Sequence, residues 1–394
     1  MAEQPVIGVV GAGAMGSGIA QIAAMHGHQV VLADTQASAC HGARERITRA
    51  LERDMEKGRL TKDAVEQTLQ RLALVHAADS NSMAALGPCG LVIEAIVEKL
   101  DIKQRVFSEL EGIVADDCIL ATNTSSLSVG AIAAACQRPE RTLGIHFFNP
   151  ATIMPLVEIV PGMRSDPAVV DRSRGLVDRW GKTTVVAQDT PGFIVNRVAR
   201  PYYGEALRIL DEGIATISDI DWAMTTLGGF RMGPFELMDF IGHDVNYVVT
   251  ESVWKALYFD PRFKPSLTQR RLLDAGLLGK KSGRGFYDYA SGAERPRPRE
   301  DNSLGNVILT RIRAMLINEA IDAVHHRVTS AAEVEVAMTK GMNFPKGLLA
   351  WGQELGLGTV LAEIDRLHDE YHEDRYRASP LLRRLVREGK SPLQ

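Results

Sequence analysis

The chain has 394 residues, 45% of them apolar, and a formal net charge of −4 at neutral pH. That length predicts two or three domains with full cores, the weak negative charge argues against a nucleic-acid or membrane-surface binder, and no apolar run approaches the ~20 residues that span a bilayer. Four cysteines, Cys40, Cys89, Cys118 and Cys136, show no metal or redox spacing and predict reduced thiols in a cytoplasmic protein.

The first predicted strand begins at Val6, so no signal or transit peptide is expected. The strand runs straight into Gly11-Ala12-Gly13-Ala14-Met15-Gly16, and a helix follows from Ser17 to His26. A second apolar run, Gln29 to Ala33, ends at Asp34, 18 positions after Gly16. A Gly-x-Gly-x-x-Gly between strand and helix, with an acidic residue at the end of the next strand, predicts dinucleotide binding. Gly11 permits the tight turn, Gly13 lets the backbone approach a pyrophosphate, and Gly16 lets helix and strand pack closely. The helix N-terminus favours the anion. Asp34 is placed to accept hydrogen bonds from a ribose and to repel a 2′-phosphate, so the expected cofactor is NAD rather than NADP.

Two helices come next, Ser38–Lys57 and Thr61–Arg71, joined by a turn at Gly58-Arg59-Leu60, with Thr61 as N-cap. This pair, about residues 38–71, is longer than a crossover needs. It reads as decoration or as a flap over a substrate. Further strands are expected at Leu91–Glu94, Ile119–Thr122, Leu143–Phe147, Leu156–Val160 and Thr183–Ala187. The alternation predicts an α/β, Rossmann-type doubly wound domain over residues 1–188.

From Pro191 the pattern turns helical, starting with Phe193–Asp211, a mostly apolar helix interrupted by Pro201. A first all-α domain is expected over 189–290. The polar, proline-rich stretch 291–302 reads as a linker. A second, partial copy of the helical domain is expected over 303–394, because residues 319–356 align without a gap on 205–242. Shared residues include Glu205/Glu319, Ala223-Met224-Thr225/Ala337-Met338-Thr339, Phe230/Phe344, Gly233/Gly347 and Gly242/Gly356.

Reacting groups of an open parallel sheet collect at the C-terminal strand ends. Asn123-Thr124-Ser125-Ser126 follows one strand, and His146-Phe147-Phe148-Asn149-Pro150 ends another. Glu158 lies twelve residues past His146, inside Leu156-Val157-Glu158-Ile159-Val160. A carboxylate in such a run is costly to bury unless paired, and His146 is the natural partner. A histidine held by a buried glutamate is positioned as a general base.

These motifs, with Pro191-Gly192-Phe193-Ile194-Val195-Asn196-Arg197, Met232-Gly233-Pro234-Phe235-Glu236-Leu237 and Gly283-Arg284-Gly285-Phe286-Tyr287, resemble the L-3-hydroxyacyl-CoA dehydrogenase family in order and spacing over residues 5–289. The repeat resembles the doubled C-terminal domain of some bacterial members and of multifunctional fatty-acid oxidation enzymes.

The resemblance implies NAD-dependent oxidation of an L-3-hydroxyacyl-CoA to the 3-ketoacyl-CoA. It assigns His146 as the base, Glu158 as its orienting partner, and Ser125 and Asn196 as hydrogen bonders to the reacting oxygen or thioester carbonyl. Asn123, Asn149, Glu94 and Lys99 would lie on the nicotinamide side. Arg53 and Lys57 would bind the CoA moiety. Short-chain and hydroxyadipyl-type substrates both fit. No metal, nucleic acid or membrane is implied, and the helical copies are expected to pair as a pseudo-dimer within the chain or in a homodimer.

Pro155, Arg231 and His243 depart from the usual pattern and bear on acyl-pocket shape. Alternatives are a dehydrogenase of free hydroxy or sugar acids, like the gulonate dehydrogenases, or a non-catalytic NAD-binding scaffold.

Overall fold

Apolar runs bounded by glycine and polar turns become one sheet: β1 (Val6–Val10), β2 (Val30–Asp34), β3 (Leu72–His76), β4 (Cys89–Glu94), β5 (Ile119–Thr122), β6 (Thr142–Phe147), β7 (Leu156–Pro161) and β8 (Thr183–Val186). Around it run α1 (Ala14–Met25), α2 (Ala37–Glu56), α3 (Lys62–Gln70), α4 (Ser80–Met83), α5 (Leu100–Glu111), α6 (Val129–Ala133) and α7 (Pro167–Arg179). The computed structural model describes residues 4–78 and 80–393. The unit built on the sheet ends at Thr190, and a second unit begins at Pro191.

The strand order is β3-β2-β1-β4-β5-β6-β7-β8. Ile7, Val9, Leu91 and Ile93 enter the core on one face, and Val10, Val92 and Leu120 enter the core on the other. Burial of both faces explains why the central strands read as continuous apolar runs. The helix pair forms nearly as expected. In α2, Cys40, Ala43, Ile47 and Leu51 are buried at helical spacing, and the Thr61 hydroxyl caps α3 by accepting from the Ala64 amide.

Two features of the sheet differ from the sequence reading. β3 is an additional edge strand, parallel to β2, in the stretch after the helix pair. Its burial is irregular, with Ala73 and His76 exposed, so neither alternation nor a continuous apolar run marks it. The sheet is also not parallel throughout, because β7 runs antiparallel to β6.

The second unit contains α8 (Val195–Val198), α9 (Arg200–Asp211), α10 (Ile217–Trp222), α11 (Pro234–Ile241), α12 (His243–Ala256) and α13 (Leu267–Asp274), then α14 (Asn302–His325), α15 (Ala331–Gly341), α16 (Leu348–Leu355), α17 (Leu357–Tyr371) and α18 (Pro380–Glu388). The helix expected over 193–211 is two helices, broken at Ala199. Pro201 lies in the first turn of α9, where its missing N–H costs nothing. The segment between α13 and α14 is fastened by Arg295 to Glu236 at 3.1 Å and by Arg299 to Asp219 at 2.8 Å.

Within this unit the 114-residue offset recurs in individual hydrogen bonds. Thr216 caps α10 by accepting from the Asp219 amide, and Ser330 caps α15 by accepting from the Glu333 amide. Asp221 accepts from the amides of Phe235 and Glu236, both at 2.9 Å. Glu335 accepts from Leu349 and Ala350 at 2.7 and 3.0 Å. Gly233 and Gly347 make room for these carboxylates: a Cβ would lie 2.3 Å from Asp221 and 2.0 Å from Glu335.

The copies also exchange arms. Arg197 Nε donates to Glu319 at 2.9 Å, and Arg311 Nε donates to Glu205 at 3.0 Å. Phe230 packs on Phe344 with centroids 5.0 Å apart. The two arginine contacts are reciprocal, each joining a position of one segment to the offset-matched position of the other.

Candidate active site

The glycine loop has the shape its spacing requires. Gly11 adopts φ +105°, and a Cβ there would lie 2.5 Å from the Ala95 carbonyl oxygen. A Cβ on Gly16 would fall 1.8 Å from the Gly11 oxygen, so α1 can approach β1 only with glycine there. At Gly13 a Cβ would meet nothing within 4 Å; this N-cap of α1 faces open space. Ala14 and Met15 form the first turn of α1. The loop borders a cavity of about 800 Å³ that also involves Asp34, Gln36, Ala95 and Ile96.

Asp34 ends β2 at the rim of this cavity. Its Oδ2 accepts from the Ala12 amide at 2.7 Å and its Oδ1 from the Gln36 amide at 2.9 Å. The carboxylate therefore supports the loop while its remaining lone pairs line the cavity. Arg46, which the sequence analysis passed over, reaches from α2 to the Ala12 carbonyl and to Ser17 Oγ at 3.0 Å. A turn of backbone amides at a helix N-terminus, a rim carboxylate and a cavity of this volume fit a dinucleotide.

Glu94 closes β4 fully buried, and its partner is Lys103 on α5, with Nζ 2.6 Å from Oε1. The same ammonium lies 3.1 Å from Glu98. Lys99 is exposed at the N-cap of α5, so the cation turned inward here is Lys103, one helical turn later. Its sequence signal is its place in the buried stripe Lys103, Phe107 and Leu110. A lysine on an apolar face implies a buried anion.

Glu98 organises the serine loop after β5. Its Oε1 accepts from Thr124 Oγ1 at 2.6 Å, from the Ser125 and Ser126 amides at 3.0 and 3.2 Å, and from Ser126 Oγ at 3.1 Å. Burial pushes the Glu98 carboxyl up, but Lys103 and the donors from Thr124 and Ser125 outweigh it and hold the group below its ordinary value. Asn123 Oδ1 accepts from the Phe147 amide at 2.8 Å, tying the start of this loop to the end of β6.

The antiparallel turn of β7 makes His146 and Glu158 direct cross-strand partners. Partners of that kind present their side chains side by side on one face. His146 Nδ1 lies 2.7 Å from Glu158 Oε2, with the histidine 5% and the glutamate 0% exposed. The Phe148 ring lies 4.5 Å from the imidazole. An Nδ1–H donated to the carboxylate makes Nε2 the basic nitrogen.

Asn149 follows in the exposed loop after β6. Arg53 and Lys57 are exposed at the end of α2, and Arg53 shares a surface hollow with Arg46 and Arg49. Asn196 lies on α8, half-buried, in the second unit.

A dinucleotide cradle on the same sheet as a carboxylate-held histidine defines an NAD-dependent dehydrogenase. Residues 6–190 match the family 3-hydroxyacyl-CoA dehydrogenase, NAD binding domain, and residues 192–289 and 307–393 match the 3-hydroxyacyl-CoA dehydrogenase C-terminal domain. A 3-hydroxyadipyl-CoA dehydrogenase of Escherichia coli K12 is 37% identical, over 97% of this chain and 98% of its own length. A 3-hydroxybutyryl-CoA dehydrogenase of Bradyrhizobium diazoefficiens is 40% identical over 72% of this chain and 94% of its own. The crystal structure of 3-hydroxybutyryl-CoA dehydrogenase from Escherichia coli K12 superposes with a TM-score of 0.92 at 36% identity, covering 98% of this chain and 99% of that one.

The chain belongs to the 3-hydroxyacyl-CoA dehydrogenase family, and its cofactor is NAD. Among the described residues no helix is long and apolar enough to cross a membrane.

Proposed function

We propose that the enzyme oxidises the 3-hydroxyl of a short-chain or hydroxyadipyl-type L-3-hydroxyacyl-CoA to the ketone. The observation that carries this reading is the 2.7 Å His146–Glu158 pair on the sheet that holds the glycine loop. The glycine loop Gly11–Gly16 and Asp34 would hold NAD, which when bound would supply the acceptor for the hydride from C3. His146 Nε2 takes the proton of the hydroxyl as the C–H bond breaks, and the C–O bond becomes a carbonyl. Glu158 offsets the charge of the imidazolium and keeps Nδ1 the protonated nitrogen.

Ser125 hydrogen-bonds the reacting oxygen or the thioester carbonyl, from a loop whose amides are held by Glu98. The part of Asn196 at the same group is supported by its motif alone. Glu94 acts through Lys103 rather than on the nicotinamide ribose directly, and Asn123 keeps the serine loop against β6. Asn149 and Lys99 remain assigned to the nicotinamide side by their motifs. Arg53 and Lys57 are assigned to the CoA phosphates by their place on the helix pair, where Arg53 lines a hollow with Arg46 and Arg49 and with Glu52 and Glu56. Asp34 selects NAD by occupying the place of a 2′-phosphate. The reciprocal arms of the helical copies support a pseudo-dimer within one chain, and four buried free thiols suit a cytoplasmic setting.

The test is NADH formation from 3-hydroxybutyryl-CoA, 3-hydroxyadipyl-CoA and free 3-hydroxybutyrate. Turnover of a CoA thioester far above the free acid supports the reading, and preference for the free acid overturns it.

A further inference from the structure

Helix α8, which carries Asn196, has only four residues. The chain enters it through Gly192 and Phe193, both left-handed at φ +79° and +46°, and leaves it at Ala199. Ala199 keeps helical dihedrals and bonds back to Val195, so the irregular point is the entry, and a single turn behind such an entry has little helical stability of its own. What holds it must come from outside. Arg197, next to Asn196, points inward and is 5% exposed.

Its Nε donates to Glu319 Oε1 at 2.9 Å, and its Nη2 lies 3.3 Å from Asp322 Oδ2. Both carboxylates stand on α14, in the C-terminal copy. Arg262 shares them, with Nη1 3.1 Å from Glu319 and 2.7 Å from Asp322, and is itself oriented by Asp260 at 3.0 Å. Two buried guanidiniums and two buried carboxylates, with Asp260 on the outer side of Arg262, form one hydrogen-bonded group of fixed geometry.

We infer that Glu319 and Asp322 are positioning residues: through Arg197 they fix α8 and thereby set the place of the Asn196 amide. This rests on the reading of Asn196 as a substrate ligand. The C-terminal copy then contributes to turnover without touching substrate. The mirror contact supplies a control inside the same molecule. Arg311 donates to Glu205 at 3.0 Å, but it stands in the 24-residue α14 beside Thr310, where the backbone is a continuous helix. Loosening that contact weakens the same interface from its other end.

The experiment uses the full chain and reads kcat, KM for acyl-CoA, KM for NAD and Tm. The variants are Asp322→Asn, Glu319→Gln, Arg197→Lys, the mirror Glu205→Gln, and each of the first three combined with Asn196→Ala. The three direct variants are expected to lower kcat/KM for acyl-CoA about 10- to 100-fold, the cost of a small misplacement, with KM for NAD unchanged. In the Asn196→Ala background these losses are expected to vanish, because residues acting through one group are not additive. Glu205→Gln is expected to lower Tm and to leave kcat/KM within about 2-fold, since it acts on stability alone.

Undiminished losses in the Asn196→Ala background, equal losses from Glu205→Gln, or a lowered Tm with wild-type kcat/KM would each overturn the inference. If Asn196→Ala alone leaves kcat/KM unchanged, the reading of Asn196 falls, and the inference with it. That outcome is distinct from a failure of Glu319 and Asp322 to couple. Should Glu319→Gln fail to fold, Asp322→Asn and Arg197→Lys carry the same decision.

Discussion

The two helical copies use one skeleton for different ends. Both cap the helix after the turn with a hydroxyl, both seize two backbone amides with a carboxylate, and both clear space for it with glycine. They differ where the first copy carries the Pro-Gly-Phe-Ile-Val-Asn motif. There the helix is broken, Phe193 is left-handed and a lone turn displays Asn196. At the matching place the second copy runs unbroken through Leu309-Thr310-Arg311. A regular helix gives stability but leaves no polar group turned out of line. The duplicated skeleton therefore lets one copy depart from regularity while the other holds it.

The comparison breaks most severely if the second copy is dispensable. A chain ending near residue 291 would leave Arg197 and Glu205 without their partners, leave Arg262 with Asp260 alone, and expose the aromatic contact at Phe230. It is expected to aggregate or dimerise on size exclusion. A monomer as stable as the full chain would refute the account of the copies as mutual supports.

Single breaks should cost less. Glu319→Ala and Glu205→Ala each remove a carboxylate shared by two buried guanidiniums, and a loss of ~3 kcal/mol is expected in denaturant unfolding. The cost at Glu205 is expected to be the larger, because Arg375 loses its 2.7 Å partner there, whereas Arg197 and Arg262 keep Asp322 at 3.3 and 2.7 Å when Glu319 is removed. The glycine pair sharpens the likeness: Gly233→Ala and Gly347→Ala should each destabilise by about 1–3 kcal/mol, the usual cost of forcing atoms into a filled site. A large effect at one glycine and none at the other would deny that the two carboxylate clamps are equivalent.

A pH series separates the two clamps. Burial pushes Asp221 up to about 7, against the hydrogen bonds from the Phe235 amide, Tyr287 and the Glu236 amide. The proton is thus held more tightly folded than unfolded, so this group's stabilisation is full below about pH 4 and is lost as pH rises towards 7. Asp221→Asn, which cannot ionise, is expected to gain on the wild type across that window by about 1 kcal/mol per pH unit. A constant difference between pH 4 and 7 would show that Asp221 stays ionised when folded.

The sequence reached the nucleotide loop and the base because both depend on local pattern. Gly11 to Gly16 needs only its own strand and helix, and Glu158 advertised a partner by being charged within an apolar run. β3 escaped because a five-residue edge strand has neither clean alternation nor a buried run. Glu98 and Lys103 escaped because their neighbours Glu94 and Lys99 offered the same charges at the same spacing, and only the helix face separates them. The cross-copy arginines were beyond reach, since Arg197 and Glu319 are 122 residues apart and each reads as an ordinary helix charge. The repeat alignment began at 205 and so missed the Arg197/Arg311 correspondence, which lies where the backbones diverge.

The most direct test is the kcat of His146→Gln and Glu158→Gln with a 3-hydroxyacyl-CoA, alongside NAD affinity measured by fluorescence titration. The account predicts a loss of roughly 10²–10⁴-fold in kcat for His146→Gln, a smaller loss in the same direction for Glu158→Gln, and unchanged NAD binding in both. A kcat near wild type in the His146 variant would contradict it.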